Sequence, residues 1–300
     1  METRELWVLD GGMGRELARR GAPFRQPEWS ALALMEAPET VREVHQAYVA
    51  SGARVITTNS YALVPFHIGD ERFFAEGEGL AGLAGQLARE VADEQKGAVQ
   101  VAGSLPPLFG SYRADLFKAD KVSELATPLI RALSPHVDIW LAETMSLIAE
   151  PLALNALLPE DGKPFWVSFT LEDETPGCEP TLRSGERVAD AVTALVAVGA
   201  DAILFNCCQP EVIEGALKVA SAELQALGRA DIRLGAYANA FPPQPKEATA
   251  NDGLDEIRTD LGPLDYLGWA ERWRVAGANL IGGCCGIGPE HIQALSSRLR

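Results

Sequence analysis

Apolar residues along this chain alternate between two patterns. Short, nearly continuous apolar runs near residues 6–10, 55–58, 100–104, 138–143, 165–170, 202–206, 233–238 and 279–282 read as strands covered on both faces. Between them, over 39–51, 78–96, 122–136, 187–198, 211–227 and 267–276, apolar residues return with helical spacing. In the 211–227 stretch, Val212, Ile213, Ala216, Leu217, Ala220, Leu224 and Leu227 make one stripe. Stripes of this kind are core rather than cofactor-binding elements.

A short phrase recurs at the junctions. Ser51-Gly52-Ala53-Arg54-Val55-Ile56 resembles Val198-Gly199-Ala200-Asp201-Ala202-Ile203 and Ala276-Gly277-Ala278-Asn279-Leu280-Ile281. Each follows a helical stretch and leads into an apolar run. Glycine suits the left-handed position just past a helix, so the phrase marks the αβ junction of a βαβ unit. Eight strands alternating with helices, with no linker or low-complexity tract, predict a single (β/α)8 barrel over residues 1–300. Length alone would equally fit two smaller domains. The longest irregular stretches, 104–120, 172–185 and 241–263, all follow strands, where a barrel builds its active-site face.

Composition narrows the function. Nearly half of the residues are apolar, which suffices for a full core. The formal charge of −16 has no basic patch to offset it, so neither nucleic acid nor an anionic membrane is an expected partner. No apolar run approaches the roughly 18 residues of a spanning helix. Met1-Glu2-Thr3-Arg4-Glu5 lacks the layout of a signal peptide, and a cytoplasmic protein acting on small molecules is expected, as a monomer or small homo-oligomer.

The candidate chemistry lies at the strand ends. In a barrel, Asp10, Thr58-Asn59, Ser104, Glu143-Thr144, Ser168, Asn206-Cys207, Asn239 and Cys284-Cys285 would share one mouth. Two of these motifs are cysteine-rich: Phe205-Asn206-Cys207-Cys208-Gln209-Pro210, and Gly282-Gly283-Cys284-Cys285-Gly286. Neighbouring strand residues face opposite ways, so Cys284 and Cys285 can share a target only where the backbone leaves extended geometry. Gly282, Gly283 and Gly286 would permit that departure. Three converging thiolates form a soft, incomplete ligand set that suits Zn²⁺ with one position open. The competing reading is that buried cysteines serve as small hydrophobes. Disulfides fit less well, given five cysteines and no secretory signal. Cys178 has no comparable context.

Asp10-Gly11-Gly12-Met13-Gly14 places a carboxylate at a strand end, followed by a glycine turn with exposed amides at a helix start. It has neither the spacing of a dinucleotide fingerprint nor the lysine of a P-loop. An ordinary βα turn remains the alternative. Glu143 closes an apolar run where an unpaired carboxylate is costly, so it pairs with an arginine or receives a substrate ammonium. His45, His67, His136 and His291 lack ligand spacing and read as structural or surface residues.

In order and spacing, Asp10-Gly11-Gly12-Met13-Gly14, Asn206-Cys207 and Gly282-Gly283-Cys284-Cys285-Gly286 resemble the homocysteine S-methyltransferase family, which includes betaine–homocysteine methyltransferase and the homocysteine-binding part of cobalamin-dependent methionine synthase. The resemblance runs from about Leu6 to Leu299. It implies a zinc barrel with Cys207, Cys284 and Cys285 as ligands. Asp10, Glu143 and the Gly11 and Gly12 amides would bind homocysteine, with Thr58, Ser168 and Asn206 nearby. Zinc would hold the homocysteine sulfur as thiolate for attack on a methyl group, giving methionine. Two features depart from the betaine enzyme. Thr144 stands where it has tyrosine, and a single helix is expected after Cys285. S-methylmethionine or S-adenosylmethionine is therefore the expected donor, with a betaine-type donor or another thiol or selenol acceptor as alternatives. A hydrolytic zinc barrel would want a base at a strand end, and a non-catalytic zinc or redox-sensing barrel would want a fourth fixed ligand.

Overall fold

The computed structural model describes residues 5–175, 179–245, 248–251 and 256–299. Eight parallel strands form one sheet: β1 (Trp7–Val8), β2 (Val55–Thr57), β3 (Gln100–Leu105), β4 (Ile139–Met145), β5 (Phe165–Phe169), β6 (Ala202–Asn206), β7 (Arg233–Tyr237) and β8 (Leu280–Ile281). β8 pairs with β1, and a Leu9–Val55 bridge joins the β1 end to β2, which closes the barrel. The Asp10 N–H to Val55 carbonyl bond of 3.0 Å belongs to the same seam. Cys178 lies outside the described residues.

The repeated glycine phrase forms the predicted junctions. Gly52, Gly199 and Gly277 take φ values of 101°, 78° and 112° after α3 (Pro38–Ala50), α8 (Val188–Ala197) and α10 (Pro263–Val275). Each leads into a strand. Three other expected helices also form: α5 (Asp70–Asp93), α6 (Val122–Leu133) and α9 (Pro210–Ala226). α5 starts eight residues before the periodic stretch over 78–96, because its first turns carry Asp70, Glu71 and other polar residues. Short helices without their own apolar stripe escaped the periodicity: α1 (Met13–Arg19), α2 (Ser30–Glu36), α4 (Pro65–Ile68) and α7 (Ala149–Asn155). α11 (Pro289–Arg298) is the helix expected after Cys285.

Period two along the strands sorts the core into two clusters. Ile56, Val101, Trp140, Val167, Ile203 and Phe205 face the helices. Val55, Ala102, Leu141, Trp166, Leu204 and Leu280 fill the barrel interior. Two residues further along five of these strands stand Thr57, Ser104, Glu143, Ser168 and Asn206. The apolar filling therefore gives way to a polar layer at the C-terminal mouth.

Candidate metal centre and substrate pocket

Above that layer opens a cavity of about 390 Å³. Its wall contains Asp10, Gly11, Gly12, Thr58, Glu143, Thr144, Cys207, Cys284 and Cys285, together with an aromatic set of Phe24, Trp29, Tyr61, Tyr112, Tyr237 and Phe241. The sulfurs of Cys207, Cys284 and Cys285 all lie within 4.8 Å of one another, with Cys284 and Cys285 4.0 Å apart. Tetrahedral zinc with thiolate bonds of ~2.3 Å separates its sulfurs by about 3.8 Å, so the donor set and its spacing fit that ion.

Local backbone geometry selects these cysteines. Counted from Asn206, alternation would send Cys207 outward and Cys208 inward. Cys207 instead has φ 54°, which turns its sulfur to the cavity and leaves Cys208 fully buried against the helices. At the other motif, only Gly286 takes a left-handed φ, of 85°. Gly282 and Gly283 are required for closeness rather than for conformation. A β-carbon on Gly282 would meet the Asp10 carbonyl at 2.7 Å, and one on Gly283 would meet Ile287 Cγ2 at 2.1 Å. This corrects the expectation that all three glycines let the chain depart from extended geometry.

The thiols share their protons. Hydrogen bonds from Cys207 and Cys284 hold Cys285 well below the usual thiol range. Cys284 is pushed well up by its bonds to Cys207 and Cys285 and by burial. Cys207 rises to about 12, its bond from Cys284 being outweighed by the bond to Cys285 and by burial. Three thiolates this close need a cation, and a coordinated metal deprotonates its thiols outright.

The two carboxylates face the same cavity. Asp10 accepts the Thr57 N–H at 2.7 Å and the Thr57 hydroxyl at 3.2 Å. Burial still lifts its carboxyl to about 7, with the Glu143 charge adding to the rise. Glu143 accepts the Ser104 hydroxyl at 2.5 Å and the Tyr237 hydroxyl at 3.3 Å. Burial lifts it to about 7 as well, against those bonds. Among the described residues its partners are hydroxyls, not an arginine. A bulge in β4 between Ala142 and Met145 turns both Glu143 and Thr144 to the cavity, the re-aiming that bulges provide.

Other predicted residues take supporting places. Asn206 and Ser168 stand behind the wall. Asn206 Oδ1 accepts the Ser168 hydroxyl at 2.6 Å and the Thr144 N–H at 3.1 Å, and its amide donates to Thr144 Oγ1 at 2.8 Å. The Thr58 hydroxyl lies 2.8 Å from Ser60 Oγ and accepts the Ser104 N–H. The Gly12 N–H is taken by the Ile287 carbonyl at 2.9 Å, so of the two proposed amides only that of Gly11 has no hydrogen-bond partner among the described residues. Sequence reasoning passed over Thr57, although period two from Val55 points to it. His67, read from the sequence as a structural or surface residue, lines the cavity while bonded through Nδ1 to the Pro27 carbonyl, and burial lowers it to about 4. Apart from Tyr237 at the end of β7, the aromatic wall gave no sequence signal, because its members come from separate loops.

A parallel (β/α)8 barrel carrying three thiols and two buried carboxylates at its C-terminal mouth has the fold and donor set of a metal-binding barrel. Residues 7–299 match the family model described as homocysteine S-methyltransferase, and the chain belongs to that family. It is 32% identical to the homocysteine S-methyltransferase of Escherichia coli strain K12, across 99% of this chain and 96% of the relative. It is 27% identical to a selenocysteine Se-methyltransferase of Brassica oleracea var. italica, across 99% and 90%. The solved structure of the metallated form of the homocysteine methyltransferase MmuM from Escherichia coli superposes with a TM-score of 0.77 at 30% identity, covering 99% of this chain and 97% of that one. Among the described residues, no helix is long and apolar enough to cross a membrane.

Proposed function

We propose that this chain moves a methyl group from a sulfonium donor, S-methylmethionine or S-adenosylmethionine, to the thiol of L-homocysteine to give methionine. The observation that carries the reading is the joint placement of a three-sulfur metal site and two desolvated carboxylates in one cavity. Cys207, Cys284 and Cys285 would hold zinc, which keeps the acceptor sulfur as thiolate at neutral pH. The group contains no fourth protein ligand among the described residues, which favours an open, catalytic site over a closed structural one.

The chain's own residues do the rest. Asp10 and Glu143 receive the α-ammonium of the acceptor, and the Gly11 amide faces its carboxylate. Ser104, Tyr237 and Thr57 fix those carboxylates. Asn206, braced by Ser168, holds Thr144 and the turn beside Glu143. The acceptor thiolate attacks the methyl carbon as the donor's S–CH3 bond breaks, and the donor leaves as a neutral thioether. The protein must align three atoms and exclude water. Phe24, Trp29, Tyr61 and Phe241 give the cavity an aromatic side suited to a sulfonium.

A selenol acceptor is a second reading, favoured by the similarity to a selenocysteine Se-methyltransferase and by a wall that reads the amino-acid head rather than the nucleophilic atom. Zinc-loaded protein assayed with homocysteine and selenocysteine against both sulfonium donors and betaine tests the proposal. Methionine formed from a sulfonium donor supports it. Turnover with betaine alone, or with neither acceptor, sinks it.

A further inference from the structure

A site that activates one sulfur has a selectivity problem, because each thiolate ligand of the metal is also a nucleophile. Methylation of a ligand would destroy the centre. The structure distinguishes Cys207 from its two partners in this respect. The Tyr112 hydroxyl lies 3.1 Å from Cys207 Sγ and 3.2 Å from the Cys207 carbonyl oxygen. That carbonyl, with two lone pairs, accepts the Thr170 hydroxyl at 3.3 Å as well as the phenol, so the phenolic O–H is forked between the carbonyl oxygen and the sulfur. A metal-bound thiolate carries no proton, so the phenol must be the donor. A hydrogen bond donated to a thiolate draws density from its lone pair and weakens it as a nucleophile.

The phenol is held in place by a buried assembly that the reaction otherwise leaves unused. Tyr112 sits at φ 69°, a conformation that side chains other than glycine adopt only under constraint. The Arg183 guanidinium lies over its ring, 4.6 Å from the centroid. A cation on the π face also draws electron density from the phenol and sharpens its O–H as a donor. Arg183 faces Asp173 at 3.8 Å, both side chains about 1% exposed, and donates to the Gln244 carbonyl at 3.1 Å. Asp173 accepts the Gln209 N–H at 3.1 Å and the Gln244 N–H at 3.2 Å. Gln209 lies two residues past Cys207. The pair thus ties the loop after β5, the cysteine turn after β6 and the cavity wall after β7 to the ring of Tyr112.

We propose that Tyr112 is a positioning residue that shields Cys207 from alkylation by hydrogen-bonding its sulfur, and that Asp173 and Arg183 hold the phenol to that task. The inference rests on the metal-thiolate reading given above. In the side reaction it suppresses, the Cys207 thiolate attacks the methyl carbon, a Cys207 S–CH3 bond forms, and the donor's bond to that methyl breaks with both electrons going to the leaving group. The ligand then becomes a neutral thioether.

The test is zinc-loaded protein treated with methyl iodide in excess zinc and without either substrate, followed by peptide mass mapping of S-methyl at Cys207, Cys284 and Cys285. The readout is the rate at Cys207 relative to the other two. Tyr112→Phe keeps the ring and its bulk, and should raise that ratio by about tenfold, the worth of one charge-assisted hydrogen bond. Arg183→Met should shift it the same way by less, and Arg183→Lys should lie nearer wild type. An unchanged ratio in Tyr112→Phe overturns the proposal; if that variant does not fold, an unchanged ratio in Arg183→Met does so. Wild-type turnover of homocysteine with S-methylmethionine is measured separately, so failure of the methyl-transfer reading and failure of the shielding role give different results.

Discussion

A β-carbon on Gly12 would stand 2.5 Å from the carbonyl oxygen of Cys284. The glycine turn after β1 and the cysteine turn after β8 are therefore pressed backbone to backbone. The Gly12 N–H to Ile287 carbonyl bond and the Gly283 N–H to Asp10 carbonyl bond, each 2.9 Å, lock the two turns together. Asp10, which presents one of the two carboxylates, and Cys284 and Cys285, which present two of the three sulfurs, share one seam of the barrel.

Gly12→Ala should push that seam apart. No flexible side-chain end is available to yield, since the obstacle is backbone. Overpacking of this kind costs about 1–3 kcal/mol. Thermal unfolding should show that loss, and zinc titration by competition with a chelator should show weaker binding because Cys284 is displaced. A variant with wild-type zinc affinity would mean that the seam does not position the ligand.

Metal content should follow the geometry of the sulfurs and not the sequence adjacency of the cysteines. Cys207→Ser, Cys284→Ser and Cys285→Ser should each lose most of the single zinc per chain expected of wild type. Cys208→Ser should keep it, because Cys208 is packed against the helices with no path to the cavity. Elemental analysis decides the matter. Zinc retained in Cys207→Ser and lost in Cys208→Ser would reverse the assignment.

The barrel was legible because two periodicities and a repeated Gly-Ala phrase act locally and do not depend on distant contacts. The cysteine trio was legible because glycine and asparagine frames mark strand ends. What escaped the sequence depends on three-dimensional closeness. Gly282 and Gly283 serve tight packing, which looks the same in sequence as conformational need. Cys207 rather than Cys208 was already indicated by the family resemblance; what the sequence did not show is the left-handed φ at Cys207 that turns its sulfur to the cavity. Thr57 was accessible to period-two counting from Val55, whereas Trp29, Tyr61 and Tyr112 reach the cavity on loops that carry no period at all.

Glu143 should read the acceptor's amino group while the sulfurs read only its thiol. Glu143→Ala should keep its zinc and lose homocysteine affinity by on the order of 2–4 kcal/mol, the cost of leaving a buried charge unpaired. Calorimetric titration of the zinc-loaded variant measures this directly. A simple thiol without the amino group should bind wild type and variant about equally. Homocysteine bound with wild-type affinity would remove Glu143 from the site.

The same carboxyl should leave a signature in stability. Glu143 is raised to about 7 in the folded protein, chiefly by burial, from an ordinary value of 4.5. The native state therefore holds a proton between roughly pH 4.5 and 7 that the unfolded chain has released. Stability then falls as pH rises through that window, and the full penalty is present above pH 7. A shift of that size corresponds to on the order of 3 kcal/mol. Asp10, also raised to about 7, adds a penalty of the same sign. Glu143→Gln keeps the bulk and removes the charge, so the variant should be more stable than wild type at pH 8 and closer to it at pH 5. Homocysteine should narrow the difference, since its ammonium supplies to wild type the counter-charge that the glutamine variant does not need. Denaturant unfolding of both proteins at the two pH values, with and without homocysteine, measures each effect. A stability difference independent of pH would show that Glu143 is ionised without cost in the empty cavity, and that its burial places no demand on the ligand.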